Sequence, residues 1–161
     1  MKKYEFTGET KTVFGRTLHR IRAILDFGDV KAGDIGGWVE KESNLSHEGD
    51  AWVYGNARVY GNARVYGDAQ VYGNAWVYGD AWVYGNAHYL TVSPIGSRDD
   101  TLTFTRDKSG TIYASVGCFF GSISEFREKV RETHGESYHA KAYLLAADLA
   151  EIRIDTTPIE D

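Results

Sequence analysis

A six-residue alternation of small, polar and β-branched positions fills the middle of the chain. Over residues 49–90 the sequence reads GDAWVY GNARVY GNARVY GDAQVY GNAWVY GDAWVY GNAHYL, seven hexads without a gap. In each Ala-x-Val triplet, strand alternation puts Ala and Val on one face and x on the other. Gly followed by Asn or Asp then supplies residues that bend a backbone at low cost. The fixed period predicts a solenoid with Ala and Val inside.

The hexads resemble the hexapeptide-repeat family, in which an aliphatic residue is followed four places later by a small one. The matching pairs are Val53 and Ala57, Val59 and Ala63, Val65 and Ala69, Val71 and Ala75, and Val77 and Ala81. The resemblance implies a left-handed parallel β-helix with three hexads per coil, so that residues 18 apart stack at about 4.8 Å. Val39 and Leu45 keep the spacing upstream, before a two-residue excess. We therefore expect about three coils, starting near residue 34.

An eighteen-residue coil arranges the outward positions in columns. These columns are Trp52, Gln70 and His88; Arg58 and Trp76; Arg64 and Trp82; and the tyrosine pairs 54/72, 60/78 and 66/84. Two columns set an arginine beside a tryptophan, the geometry of a cation–π contact worth about 0.5–1 kcal/mol. The ladders could simply brace the coils. Because an aromatic outer surface usually marks an interface, however, we expect a homo-oligomer, and the family resemblance implies a trimer. The residues assigned to this interface are Trp52, Arg58, Tyr60, Arg64, Tyr66, Trp76, Tyr78, Trp82 and Tyr84.

The segment before the repeat predicts a β cap. Apolar residues at 4–6, 13–14 and 18–25 indicate short strands separated by Gly8 and Gly15. In the last strand Ile21, Ala23 and Leu25 share one face, which is suited to covering the first coil. The stretch 26–57 also resembles the opening segment of uncharacterised bacterial and prophage hexapeptide proteins.

The segment after the repeat predicts an α+β domain of order β-β-β-α-α. Strands are expected at 89–93, 102–106 and 111–116, and helices from the Ser122–Glu125 capping box to about His134 and over 138–152. The chain is thus mainly β. Its predicted segments are an N-terminal β cap (1–33), the β-helix (34–90), the C-terminal α+β domain (91–154) and a loose acidic tail (155–161).

The composition of the chain indicates which partners and which cellular compartment to expect. The net charge of −5 argues against general nucleic-acid binding, although residues 1–31 carry seven Lys or Arg against four Asp or Glu. This basic head could meet an acidic partner or simply be a solvated edge strand. The single cysteine, Cys118, excludes an internal disulfide and fits a reducing compartment. No apolar run approaches membrane-spanning length, and the opening residues lack a signal-peptide core. We therefore expect a soluble protein in the cytoplasm of a bacterial host cell.

The C-terminal segment resembles a small domain of phage and prophage open reading frames. The resemblance rests on residues 97–103, 117–119, 121, 125–126 and 134–135. It implies a phage setting and no particular reaction. Anion or nucleotide binding is a hypothesis for Arg98, Thr101, Thr103 and Ser122, with Trp76 or Trp82 as a stacking face. Capping and hairpin hydrogen bonds are the alternative role of these polar residues.

Catalytic assignments find less support. Cys118 precedes the first helix and His134 ends it, about 18 Å away, too far for a nucleophile–base pair. An acyltransferase of the resembled fold would need a histidine base, for which His88, or else His47, is the candidate. The five histidines show no metal-ligand spacing, and no cofactor is expected.

The sequence thus favours a non-catalytic, phage- or prophage-type oligomeric binding protein. Such a protein would inhibit or sequester a host defence protein or a nucleotide signal. The alternatives are an acyltransferase that uses acyl-CoA and a structural module that assembles through its coil ends.

Overall fold

The computed structural model describes residues 1–160, which fall into two units, Met1–Asn86 and the remainder from Ala87. The first unit opens with an antiparallel hairpin of β1 (Tyr4–Val13) and β2 (Arg16–Ala23), and β3 (Ile35–Val39) pairs antiparallel with β2. The strand break predicted at Gly8 is wrong. β1 runs through this glycine, whose φ of 96° sits in a register shift between Phe6 and Thr10. A bulge absorbs the extra residues without ending the strand.

Each of six hexads contributes one two-residue strand to the solenoid. These strands are β4 (Trp52–Val53), β5 (Arg58–Val59), β6 (Arg64–Val65), β7 (Gln70–Val71), β8 (Trp76–Val77) and β9 (Trp82–Val83). β4 pairs in parallel with β7, β5 with β8 and β6 with β9, each residue meeting the one 18 places on. β3 extends the β5–β8 face, so that the first unit presents three sheet faces. The eighteen-residue repeat distance is confirmed.

The interior holds the residues that the alternation places there. The inward alanines and valines from Ala51 to Val83 are at most 3% exposed. Backbone hydrogen bonds between successive coils support them, as in the Arg58 N–H to Ala75 carbonyl bond of 2.9 Å and the Tyr60 N–H to Val77 carbonyl bond of 3.0 Å. Apolar burial and a continuous hydrogen-bond ladder therefore hold the coils in register.

The first coil is two residues longer than the others. Val39 pairs with Val59, and Leu45 forms a bridge to Val65, both at a separation of 20 residues. The 3₁₀ turn Glu42–Asn44 lies between these two pairs, and the two-residue excess follows Leu45, because Val53 pairs with Val71 at a separation of 18 residues. Asn44, fully buried, donates from Nδ2 to the carbonyls of Gly61 (3.1 Å) and Ala63 (2.9 Å), where later coils use backbone N–H groups. A side-chain amide thus replaces two backbone donors at this corner.

The second unit is a four-stranded antiparallel sheet with two helices. Its elements are β10 (Tyr89–Ile95), β11 (Asp100–Arg106), β12 (Ile112–Val116), β13 (Phe119–Ser122), α1 (Ile123–His134) and α2 (Tyr138–Arg153), with the strands in sequence order. The fourth strand, β13, was not predicted, because a four-residue run that contains a glycine carries little alternation. Ser122 caps α1 as expected, with Glu125 closing the capping box.

The seventh hexad does not continue the coil. Residues Asn86–His88 form a 3₁₀ turn, and β10 then pairs antiparallel with β11. The tail is also better held than expected. Arg106, fully buried, donates to the Asp155 carbonyl, and the Asp155 N–H donates to the Ala87 carbonyl at 2.8 Å. The predicted looseness of the tail is therefore wrong for the residues around Asp155.

Candidate functional site

A pocket of about 470 Å³ opens in the second unit beside α1. Its walls come from the turn between β10 and β11, the turn between β12 and β13, one side of α1 and a tyrosine of α2. The lining residues are Ser97, Arg98, Asp100, Val116, Gly117, Cys118, Phe119, Phe126, Lys129, Val130, Thr133, His134 and Tyr143. This volume lies in the range of sites for small organic ligands.

The floor of the pocket is aromatic and well ordered by packing. Phe126 and Tyr143 are buried and meet edge to face with ring centroids 5.7 Å apart. Phe119 lies 5.8 Å from Phe126, and His134 lies 5.4 Å from Tyr143. A Cβ on Gly96 would lie 2.0 Å from the Tyr143 hydroxyl, so the turn must carry glycine there for the tyrosine to fit. The floor is thus a packed aromatic cluster whose phenylalanine and tyrosine rings meet at steep angles.

The rim of the pocket carries most of its charge. Arg98 and Lys129 are exposed, and Asp100 is half-buried. Burial, followed by the nearby Asp100 carboxylate, raises the pKa of Tyr143, which keeps its hydroxyl protonated. Two cations against one carboxylate favour an anionic group at the mouth, while the floor suits a ring or an alkyl chain.

The predicted ligand-binding residues are only partly brought together. Arg98 lines the pocket, whereas Thr103 is buried and 1% exposed. The Thr101 hydroxyl lies 2.9 Å from the Ser93 hydroxyl, and the Ser122 hydroxyl accepts the Glu125 N–H at 3.2 Å. Thr101 and Ser122 thus take part in hairpin bonding and helix capping. Trp76 and Trp82 lie in the first unit, where each stacks on an arginine.

The sequence did not predict that Cys118 and His134 would share a site. Both line the same pocket, and Cys118 is exposed. No hydrogen bond joins the thiol to the imidazole among residues 1–160. One signal could have found the pocket: eight of its thirteen lining residues belong to the segments on which the C-terminal resemblance rests.

The two histidines considered for acyl transfer are structural. His88 is 2% exposed, with Nε2 3.9 Å from an Asp155 carboxylate oxygen, so its predicted outward position is wrong. His47 stacks on Tyr4 with ring centroids 4.1 Å apart, and its Nδ1 accepts the Lys3 N–H at 3.2 Å. Neither imidazole is placed to reach a substrate.

The outer columns of the first unit have the predicted contacts, but the chain itself covers part of them. Arg58 and Arg64 lie 4.8 and 5.1 Å from the ring centroids of Trp76 and Trp82. Trp52 and Tyr60, however, are 1% and 3% exposed. Tyr4 and Phe27 cover Trp52, and Leu18 of the hairpin packs on Tyr60. The expectation that these two rings are accessible for an oligomer interface is therefore wrong.

Other aromatic side chains of the columns stay accessible. Tyr72 is 48% exposed and Tyr84 is 39% exposed, while Tyr66, Tyr78, Trp76 and Trp82 are half-buried. Within residues 1–160, no three His, Cys, Asp or Glu side chains gather as a metal site would need. Over the same residues, neither helix is both long and apolar enough to cross a membrane.

The repeat and its pairing define a β-solenoid protein. The family model described as YdcK β-solenoid repeat matches residues 51–67, 57–71 and 69–85. Over 51 residues the chain is 45% identical to the Escherichia coli (strain K12) protein named uncharacterized acetyltransferase YdcK. That match covers 32% of this chain and 15% of the length of the relative. The family model therefore matches the solenoid, and the relative is matched over less than a third of this chain.

Proposed function

We propose that the chain is a binding protein that holds a small organic anion in the pocket beside α1, with the solenoid as its scaffold. The observation that carries the proposal is the pairing of Arg98 and Lys129 on the rim with an aromatic floor of Phe119, Phe126 and Tyr143. A nucleotide-type ligand has this chemistry, because its base offers a π face to aromatic side chains and its phosphates are anionic.

Retention of the ligand, and not its conversion, is the proposed activity. Sequestration of a host nucleotide signal in a phage setting is the finer form of this proposal, and it rests on the C-terminal resemblance. The left-handed winding in about three coils rests likewise on the hexapeptide-repeat resemblance.

The pocket is tested by calorimetric titration with cyclic nucleotides, ADP-ribose derivatives and nucleoside monophosphates. The double variant Arg98→Ala/Lys129→Ala is expected to weaken binding at least about tenfold, because two charge-assisted contacts are lost. Lys141→Ala is the matched control, since Lys141 is exposed on α2 outside the lining. Absence of binding by every compound, or an equal loss in the control, would contradict the proposal.

Acyl transfer is a second candidate, favoured by the name of the E. coli relative. Because His88 is buried, the base in this chain would be His134, which lines the pocket beside two cations able to meet the phosphates of coenzyme A. The test is release of free coenzyme A thiol from acetyl-CoA with candidate amine or hydroxyl acceptors. His134→Ala should abolish release and His139→Ala, which lies outside the lining, should not. If the wild type releases no thiol, this candidate fails.

We also propose that the chain forms a homo-oligomer, a trimer in its simplest form, through the solenoid residues that its own hairpin leaves accessible. Tyr84 and Arg64 are exposed beside the half-buried Tyr66 and Trp82 on the β6–β9 face. Sedimentation should give three times the chain mass of 18.0 kDa. Tyr84→Ser should shift the equilibrium towards monomer, whereas Phe120→Ser, exposed in the second unit, should not. A monomer at all concentrations would refute this assembly, and filaments would favour a structural role through the coil ends.

A further inference from the structure

Four polar groups on one outer face of the first unit have no hydrogen-bond partner. Arg20 Nε, Trp38 Nε1, Arg58 Nε and Tyr60 Oη are buried, and no acceptor for them lies in the described part of the chain. Trp38 and Tyr60 are only 5% and 3% exposed as whole residues. Buried polar groups are almost always paired, so a cluster of unpaired donors points to an acceptor that the chain does not itself supply.

The strand register brings these groups together. Arg20 lies opposite Trp38 across β2 and β3, and Trp38 lies opposite Arg58 across β3 and β5. Tyr60 packs with Trp38 and Leu18 in one cluster. Because neighbouring strands are about 4.8 Å apart, the backbones of Arg20 and Arg58 lie about 10 Å apart, with Trp38 on the strand between them.

The same face concentrates positive charge. Lys11 Nζ lies 4.2 Å from the ring centroid of Trp38, Arg20 Cζ lies 5.0 Å from the same ring, and Arg58 Cζ lies 4.8 Å from that of Trp76. Burial, followed by Arg58 and Arg20, lowers the pKa of Lys11, and Glu9 opposes this shift. None of the three cations has an ion-pair partner among residues 1–160. A guanidinium that stacks on a ring keeps its in-plane N–H groups available for an anion.

We propose that this face binds the phosphate group of a small molecule between Lys11, Arg20 and Arg58, with Trp38 Nε1 and Tyr60 Oη as further donors. Three cations and two neutral donors exceed what the two oxygens of a carboxylate accept well, whereas a phosphate offers three terminal oxygens of higher charge. The site is separate from the pocket of the second unit and does not depend on it.

The rest of the ligand has an apolar surface beside this site. Phe14, at the tip of the β1–β2 hairpin, is 59% exposed and meets Trp76 edge to face at 5.4 Å. Its φ is 51°, a conformation that a bulky residue rarely adopts. The hairpin therefore holds an exposed ring next to the cations, where the organic part of a phosphate ester would lie.

The test uses the full chain and its indole N–H signals in ¹H–¹⁵N spectra. Inorganic phosphate and a nucleoside monophosphate are titrated to about 20 mM against sodium chloride of equal ionic strength, which accounts for screening. The Trp38 indole signal, assigned with Trp38→Phe, should shift saturably with phosphate and not with chloride. Tighter binding of the monophosphate would assign a role to Phe14, and equal binding would restrict the site to the phosphate group.

Matched arginine variants separate a binding site from a structural brace. Arg58→Met should weaken phosphate binding about tenfold or more, the effect of one charge-assisted hydrogen bond. Arg64→Met removes an arginine in the same geometry over Trp82, outside the cation cluster, and should change the affinity less than about twofold. Arg58→Lys keeps the charge and gives a folded reference if Arg58→Met unfolds. A Trp38 signal indifferent to phosphate, or equal effects of Arg58→Met and Arg64→Met, would overturn the proposal.

Discussion

Asn44 offers the sharpest test of how the long first coil is held. Its side chain is fully buried and makes three hydrogen bonds, donating to the Gly61 and Ala63 carbonyls and accepting the Lys41 N–H at 2.9 Å. Asn44→Ala removes all three. At about 1 kcal/mol net for each bond, the free energy of unfolding should fall by about 3 kcal/mol. For a unit of fewer than a hundred residues this lowers the midpoint by about 12–24 °C.

Tryptophan fluorescence isolates this effect, because all four tryptophans lie in the first unit. Thermal and urea unfolding would be followed for the wild type, Asn44→Ala and Asn44→Asp. The aspartate has nearly the same size but no donor, so a loss of at least about 2 kcal/mol there excludes a mere cavity effect. Asn62→Ala, at an exposed corner with one 3.3 Å bond to Asp80, should stay within about 0.5 kcal/mol of the wild type. Equal stability of Asn44→Ala and Asn62→Ala would refute the reasoning.

Three further predictions concern a turn, a titration and the tail. Gly67→Ala should lower the free energy of unfolding by about 2–4 kcal/mol, because φ is 63° and the added Cβ would lie 2.7 Å from a carbonyl oxygen of the next coil. Gly55→Ala, at φ 55° with open space around the added Cβ, should lower it by only about 1 kcal/mol. Urea unfolding measures both. Burial lowers the pKa of His47, so the unfolded state takes up its proton first and the first unit loses stability as the pH falls below about 6.5. His47→Phe should flatten this dependence, and an unchanged slope would contradict the assignment. Arg106→Met should destabilise the second unit by about 3 kcal/mol in calorimetry, because three backbone carbonyls lose their donor, whereas the exposed Arg131→Met should have little effect.

The solenoid could be predicted because the direction of each side chain depends on its neighbours in sequence and recurs in every hexad. Strand alternation alone points Ala57 and Val59 inward, and the residues 18 places further along the chain point inward for the same reason. The covering of Trp52 and Tyr60 could not be predicted in this way. It depends on where a hairpin some forty residues earlier lies on the finished sheet, and no periodicity in the sequence records that contact.

The pocket was predicted only in part for a related reason. The turn sequence indicated Arg98 as a binding residue. The predicted length of α1, however, placed Cys118 and His134 about 18 Å apart. Strand β13 moves Cys118 about 13 Å away from the start of the helix, and its turn lines the same cavity as the last residue of α1. A four-residue strand with a glycine inside it leaves too little alternation to be read from the sequence. Because this strand was not predicted, the Cys118 thiol was placed too close to the start of α1.

The equal length of the coils after the first sets a rule for changing the length of this protein. Because each face recurs after eighteen residues, duplicating or removing eighteen leaves every remaining side chain on its original face. Removing one hexad, such as residues 67–72, preserves the six-residue rhythm but brings Trp52 opposite Trp76 and Arg58 opposite Trp82. The hexad is therefore the repeating unit of the sequence. The solenoid, however, could be lengthened or shortened with its surface columns unchanged only by whole coils of three hexads.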